Sequence, residues 1–507
     1  MRQYRFDSDG DITFKRLTMR SVVQGHNPIQ FLITGKGSLD EGLVGGGGGG
    51  GGGGHRGELD MLVPPQIGQR LLALYSEHVM PQFPVVSLDP EENGMELDPA
   101  VLAAIYIAAQ YFALFDEDLC IQTVYDKSPI SKLKDHVWSS LHNHRNQPSI
   151  PLLQSALLMA LAPADDVLSP EVEERAMLAG RIAAMANALG LQHDPTSWNV
   201  PDREKAFRRR LSCLVKANDT WTAMAAGRPP LLSAENWALE DVPASDLCTA
   251  VLSEPVLSTF VQYMRLTTIL SCIMQNAFSL RASTRLAADV SQTLQVTKPL
   301  METLNDWYRG LAQSSAGKQD AVINASAFLH LGYHATKTLL FRAIMRPFQN
   351  ADYMQLPVDD QVEHESARRQ VRIGLKSCAL AFSNYIRELD SGDFQAFWPF
   401  WSASAFALQP ILWQIYYLSS GSIEEAWETK QGLMQARQSL RFRARSFDLL
   451  RLALLRVDSI WWRGIRETIH LSPTVEQSLA QDHPNAASAT NYIQCQPHDR
   501  MLNERTS

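Results

Sequence analysis

Six cysteines serve a chain of 507 residues, and no two of them (Cys120, Cys213, Cys248, Cys272, Cys378, Cys495) stand at the Cys-x2-Cys spacing of paired metal ligands. That scarcity excludes a disulfide-stapled scaffold and a cysteine-rich metal module, and it fits buried thiols in a reducing compartment. Excess basic charge is missing too. With 46 basic against 54 acidic residues the formal charge is −8, so the chain as a whole carries no nucleic-acid footprint. Strand-like alternation is nearly absent, as is any G-x-S-x-G elbow or internal repeat. The opening MRQYRFDSDGD is charged and lacks the apolar segment of a secretory leader. The stretch from Phe394 to Ile423 has no charge, yet Pro399, Pro410, several glutamines and serines and a break at Gly421 make it buried core helices rather than a membrane span.

What is present is an ordinary globular composition, 45% apolar and 20% charged. Length alone suggests roughly three domains, but the periodicity predicts one large helical domain over 61–471, between an arm at 1–60 and a loose tail at 472–507. In the arm, Ile29 to Thr34 reads as one short strand. The ten glycines Gly45 to Gly54 read as a flexible tether. They are no phosphate loop, because His55-Arg56-Gly57 follows where Lys-Ser/Thr is required. From Pro64-Pro65, the spacing of Leu71, Leu72, Leu74, Tyr75 and Val79 predicts a short helix running into Pro81–Val86. Val101 to Phe115 predicts a buried helix, and Ser149 and Pro151 open another over Leu152–Leu161. Ser169-Pro170-Glu171 opens a helix with Leu178, Ile182, Met185 and Leu189 on one face and Gly190 as its cap. Further helices are predicted near 250–285, 289–313, 319–347, 363–390, 396–419, 424–445 and 446–470, the last two compatible with one continuous helix. The predicted fold class is all-α.

The chain is organised around Pro201 to Pro243. Pro201-Asp202 supplies a helix start with a carboxylate at the positive end of the dipole. Phe207, Leu211, Leu214, Val215, Trp221 and Met224 keep helical spacing. Gly227-Arg228-Pro229-Pro230 stops the helix, since proline cannot donate to the ladder and glycine accepts a left-handed cap. Arg209-Arg210 near the start, Asp219 mid-helix, Gly227-Arg228-Pro229-Pro230, and then Asp241-Val242-Pro243 together resemble the middle homology region of fungal zinc-cluster transcription factors. The preceding helix, from Gly180 through Met185-Ala186 and Leu189-Gly190-Leu191 to His193-Asp194, is similar to that family's G-x-A-x-x-M-A-x-x-L-G-L-H-x-D signature. Core likeness covers 170–243, and weaker likeness runs from about Leu62 to about Leu471, including Leu329–His334, Arg346-Pro347-Phe348 and Phe397-Trp398-Pro399. Trp198 and the last of these blocks resemble a subgroup of nitrogen-regulatory co-activators. Departures stand at Ser212, Cys213 and Lys216, where the family places aromatics, and at Thr220, where it places arginine.

The resemblance implies a transcriptional regulator of a fungal nucleus, not an enzyme, whose partners are other transcription factors or co-regulators. Pairing with itself or with a related chain is compatible with it, although no sustained heptads are visible. The family's DNA reader, a six-cysteine cluster holding zinc, is absent from this sequence. DNA would then be reached indirectly through a partner, or the cluster lies in a missing upstream exon. No cofactor is expected in this chain, zinc entering only with such a cluster.

Other chemistry is only partly supported by the residues. Asp165-Asp166 and Asn218-Asp219 evoke the magnesium motifs of all-α terpene cyclases, but the last acid of each motif is missing, Ala226 standing where the second needs glutamate. His330 and His334 share a helix face but lack the zincin glutamate and a third ligand. Cys213 reads as a structural thiol. Arg437, Arg441 and Arg445 would share a face if their helix continues, available to phosphate or a partner, with a salt-bridged surface as the plainer reading. Arg209, Arg210, Asp219, Gly227, Arg228 and Pro229 read as helix-to-helix ties or as an effector or partner site; the structural reading is favoured, since the sequence points to no ligand.

Overall fold

The computed structural model describes residues 5–6, 12–13, 52–88, 97–121, 129–143, 148–164, 172–238, 254–315, 323–349, 358–463 and 474–477. The expected strand at Ile29–Thr34, most of the glycine run, Asp165-Asp166, the Ser169 cap and nearly all of the tail lie outside these residues. Apart from a two-residue antiparallel ladder, β1 (Arg5–Phe6) with β2 (Ile12–Thr13), the regular elements described are helical, and the fold is all-α.

The helices follow in order: α1 (Gly52–Leu62), α2 (Pro65–Leu74), α3 (Pro99–Ala109), α4 (Ile130–Asn143), α5 (Ile150–Leu161), α6 (Val172–Ala188), α7 (Asp202–Ala226), α8 (Glu254–Ile273), α9 (Leu280–Ala287), α10 (Val290–Ser315), α11 (Ile323–Met345), α12 (Val358–Glu388), α13 (Ser391–Phe394), α14 (Trp401–Phe406), α15 (Leu408–Leu418), α16 (Ile423–Arg443) and α17 (Arg451–Arg463). Their starts are chemically marked. Asp98 accepts from the Ala100 amide at 2.8 Å beside a first-turn proline, and Ser149 and Ser422 accept from Leu152 and Glu425 at 3.4 and 3.2 Å. Their stops are marked as well. Gly190 (φ 74°) and Gly227 (φ 65°) take the left-handed conformation that α6 and α7 need to end. Leu191 N–H returns to the Ala186 carbonyl and Arg228 N–H to Ala223, at 3.0 and 2.9 Å, completing the same C-terminal motif twice.

Several boundaries differ from the sequence expectation. α1 begins inside the glycine run, because Leu59, buried at 1% exposure, ties it to α3 and α4. α4 carried too weak a pattern to be anticipated; its buried face is only Leu133, Val137 and Leu141. The span 396–419 is broken at Ala407 into α14 and α15, and a turn over 444–447 followed by a 3-10 turn at Asp448–Leu450 separates α16 from α17.

Among the described residues two large apolar clusters hold the helices, beside a minor one at Ala277, Leu286 and Ala343. The larger runs from Leu59 to Val457 and includes Val101–Ala109 of α3 and the apolar residues of α7 from Phe207 to Met224. The smaller joins Phe341, Met345, Leu375, Cys378, Leu412, Trp413 and Leu433, where α11, α12, α15 and α16 meet. One described stretch, Val256–Phe278, is long and apolar enough to cross a membrane, and Phe260, Tyr263, Leu266, Leu270 and Ile273 spend its apolar face inside the larger cluster.

Candidate functional site

Helix α7 is buried along most of its length, and Arg208, Arg209 and Arg210 are engaged by groups around it. Arg210 is 1% exposed; its Nε donates to the Pro84 carbonyl at 3.0 Å and its guanidinium lies over the Phe207 ring. Arg209 donates from Nε to Asp194 at 3.3 Å and also reaches the Thr196 hydroxyl. Burial pushes the Asp194 carboxyl up, but hydrogen bonds from Thr196 and Arg209 outweigh it and leave the group below its ordinary value. Arg208 pairs with Glu204 at 2.7 Å and donates to the Leu189 carbonyl at 3.2 Å, one of the orphan acceptors where α6 ends.

Asp219 explains the double proline. Pro229 and Pro230 have no amide hydrogen, so the first donors after the break are Leu231 and Leu232. Asp219 takes both, Oδ1 from Leu231 at 3.0 Å and Oδ2 from Leu232 at 2.9 Å. Burial raises its pKa, and the two amides pull it back only in part. Both carboxylate oxygens are thus engaged by backbone. Arg228 lies on the surface, Nη2 to Glu173 Oε1 at 2.6 Å, and Pro229 is exposed. The set therefore does not converge on one pocket. It is a series of separate fastenings: α7 to the 194–196 turn, to Pro84, to its own exit loop and to α6.

Helices from well-separated parts of the sequence meet around Trp221. This indole is fully buried, stacks on Trp401 at 4.0 Å between ring centres, and donates to Thr267 Oγ1 at 2.9 Å. Gly332 on α11 lies against it; a Cβ there would stand 2.7 Å from Leu266 Cδ2 and 3.0 Å from the indole. Around the same point Phe83 meets Tyr263 and Phe397 edge to face, as Tyr263 does Phe328.

The remaining candidates resolve individually. His330 Nδ1 lies 3.2 Å from the Tyr308 hydroxyl, whereas His334 stacks on Phe382 with its pKa pushed down to about 3, chiefly by burial. Among the described residues no three His, Cys, Asp or Glu side chains gather as a metal set. Burial pushes the Cys213 thiol up to about 12, which leaves it un-ionised and unreactive at neutral pH. Arg437 and Arg441 share one partner, Asp458 on α17, at 2.5 and 3.3 Å, and exposed Arg445 follows the end of their helix. A cleft of about 410 Å³ opens between α1 and α4, with Met61, Lys132, Asp135 and His136 in its lining.

Two arginines that the sequence reading passed over matter as much as those it chose. Arg175 is buried and donates to the carbonyls of Met159, Ala160 and Pro163 at 2.9–3.2 Å, closing the end of α5, while stacking on Phe400. Arg372 is buried and donates to the Tyr416 carbonyl at 3.0 Å and the Ser419 hydroxyl at 2.6 Å, closing the end of α15. A signal was available. Arg175 stands in the stripe of Leu178 and Ile182, and Arg372 in that of Leu375 and Ala379, where a cation has no solvent to face.

Residues 72–309 match the fungal specific transcription factor domain. The chain is 26% identical over 238 residues to an uncharacterized transcriptional regulatory protein of Schizosaccharomyces pombe, covering 45% of this chain and 35% of that one. It is 24% identical over 449 residues to the transcriptional activator protein DAL81 of Saccharomyces cerevisiae, covering 78% of this chain and 44% of that one. The chain thus spans less than half the length of these curated relatives. No solved structure matches it.

Proposed function

From the fungal specific transcription factor domain that residues 72–309 carry, we propose that this chain is a fungal transcriptional regulator acting as a regulatory and protein-interaction module in the nucleus, reaching promoters through a DNA-binding partner. That domain match is the observation that carries the reading. The names of two relatives, a transcriptional regulatory protein and a transcriptional activator, support it. The negative net charge of the sequence favours indirect contact with DNA. The alternative is a zinc-cluster factor whose DNA reader is encoded outside this sequence. The set Arg209, Arg210, Asp219, Gly227, Arg228 and Pro229 is read here as the scaffold that fixes α7, and Arg437, Arg441 and Arg445 as surface for a partner rather than for phosphate, because two of the three already share Asp458.

The test is chromatin occupancy of the tagged protein in its own host. Discrete promoter peaks with one shared DNA motif are expected, and peaks that vanish when the factor recognising that motif is deleted establish indirect recruitment. Peaks that persist, with direct binding by the purified chain, would move the reading to the alternative. No enrichment under several nutrient conditions, with the tag in the cytosol, would remove both.

A further inference from the structure

The outward face of α16 carries a row of apolar side chains that nothing among the described residues covers. Trp427, Met434 and Phe442 are 52%, 41% and 74% exposed. They stand at i, i+7 and i+15, which at 3.6 residues per turn places them within one arc of about 80° on the helix, spread over about 22 Å at ~1.5 Å per residue. The opposite face, Ala426, Thr429, Leu433, Ala436 and Leu440, is buried in the fold, so this row is surplus to folding.

The row is a palindrome in chemistry. Between the apolar anchors lie exposed Gln431 and Gln438, and at the two ends stand exposed Glu424 and Arg445. Read from either end about a centre between Met434 and Gln435, the face runs charge, aromatic, amide, thioether or amide, amide, aromatic, opposite charge. Laying a second copy of α16 antiparallel on the first brings Trp427 opposite Phe442, Gln431 opposite Gln438 and Glu424 opposite Arg445, each pair twice by symmetry. Such an isologous contact demands a surface complementary to itself, and alternating apolar and amide positions with unlike charges at the rims provide one. A parallel arrangement would instead set Glu424 on Glu424 and Arg445 on Arg445.

We propose that two copies of this chain pair antiparallel through the outward face of α16, about a twofold axis at Met434–Gln435. The inference rests on this surface alone and is independent of the regulatory reading. The Lys376–Glu428 pair between α12 and α16 (2.7 Å) borders the face and leaves the row clear.

The experiment is sedimentation velocity of the purified full chain over a concentration series, with far-UV circular dichroism to confirm folding of each variant. The wild type is expected to move from monomer to dimer with concentration, and Met434→Glu to stay monomeric. Glu424→Arg alone should weaken dimerisation about ten-fold, and adding Arg445→Glu to the same chain should restore it, since the two positions meet only across an antiparallel pair. Under mild oxidation Met434→Cys should cross-link beyond the wild-type background. Trp427→Cys mixed with Phe442→Cys should give a heterologous cross-link that neither gives alone. A wild type that stays monomeric, a dimer that Met434→Glu leaves intact, or self-cross-linking of Trp427→Cys alone would each overturn the proposal.

Discussion

Arg209 and Arg210 on α7 and Arg437 and Arg441 on α16 read alike as basic clusters on amphipathic helices, yet the fold uses them differently. The α7 arginines are buried, and Arg210 is satisfied in part by a backbone carbonyl; on α16 the mostly covered Arg437 and the half-exposed Arg441 share the single carboxylate of Asp458. A guanidinium on a carbonyl inside the core cannot be removed without stranding an acceptor, whereas a half-exposed one such as Arg441 is replaced by water. Charge density therefore says little about role; position relative to the apolar stripe says more.

The comparison can be broken most directly at its buried end. Arg210→Ala should destabilise the chain by about 3 kcal/mol, from lost packing on Phe207 and an unmet Pro84 carbonyl, read as a lowered urea midpoint. A loss below about 1 kcal/mol would mean that this arginine is no more structural than the α16 pair. Asp219→Ala should cost about 2 kcal/mol, because two amides behind the prolines lose their acceptor together. Rapid hydrogen exchange at Leu231 and Leu232 in that variant would localise the effect.

Acid adds a different test, since carbonyl contacts do not titrate. His334 has a folded pKa of about 3 against an ordinary 6.5. The unfolded chain then takes up its proton first, so stability is full above pH 6.5 and falls as pH drops toward 3. The expected loss from this group between pH 7 and 5 is about 2 kcal/mol at ~1.4 kcal/mol per pH step below 6.5. His334→Phe, which keeps an aromatic against Phe382, should flatten that slope; an unchanged slope would assign the sensitivity elsewhere. Smallest of all, Arg441→Ala should move stability by less than about 0.5 kcal/mol, its 3.3 Å contact being half solvated.

The sequence was most readable where several local signals coincided. α7 has a start, a period and a glycine stop, and the structure has all three; α5 and the Gly190 stop of α6 were legible for the same reason. α4 was not, because three buried residues in fourteen make a pattern too thin to separate from a solvated loop. The division of α14 from α15 was hidden by continuous apolarity, which carries no phase once a segment is buried on all sides. Of the candidate residues, the types and the helix were legible, but not their partners: nothing in the spacing of Asp219 says that it faces the two amides after Pro230. Arg175 and Arg372 carry a fainter signal, since each is a single charged residue inside an apolar stripe rather than one of a group.

The arginine-to-carbonyl contacts have a consequence for how such a chain can drift. Every residue type carries a main-chain carbonyl, so Met159, Ala160, Pro163, Leu189 and Tyr416 can change identity without withdrawing the acceptor, provided the helix end stays in place. The arginine is bound to a location, not to a partner's side chain. In diverging copies of this fold such an arginine would stay while its neighbours vary around it, and it would leave no correlated substitution behind. Pairwise covariation would then recover contacts such as Arg437–Asp458 and overlook the buried fastenings that hold the helices in register.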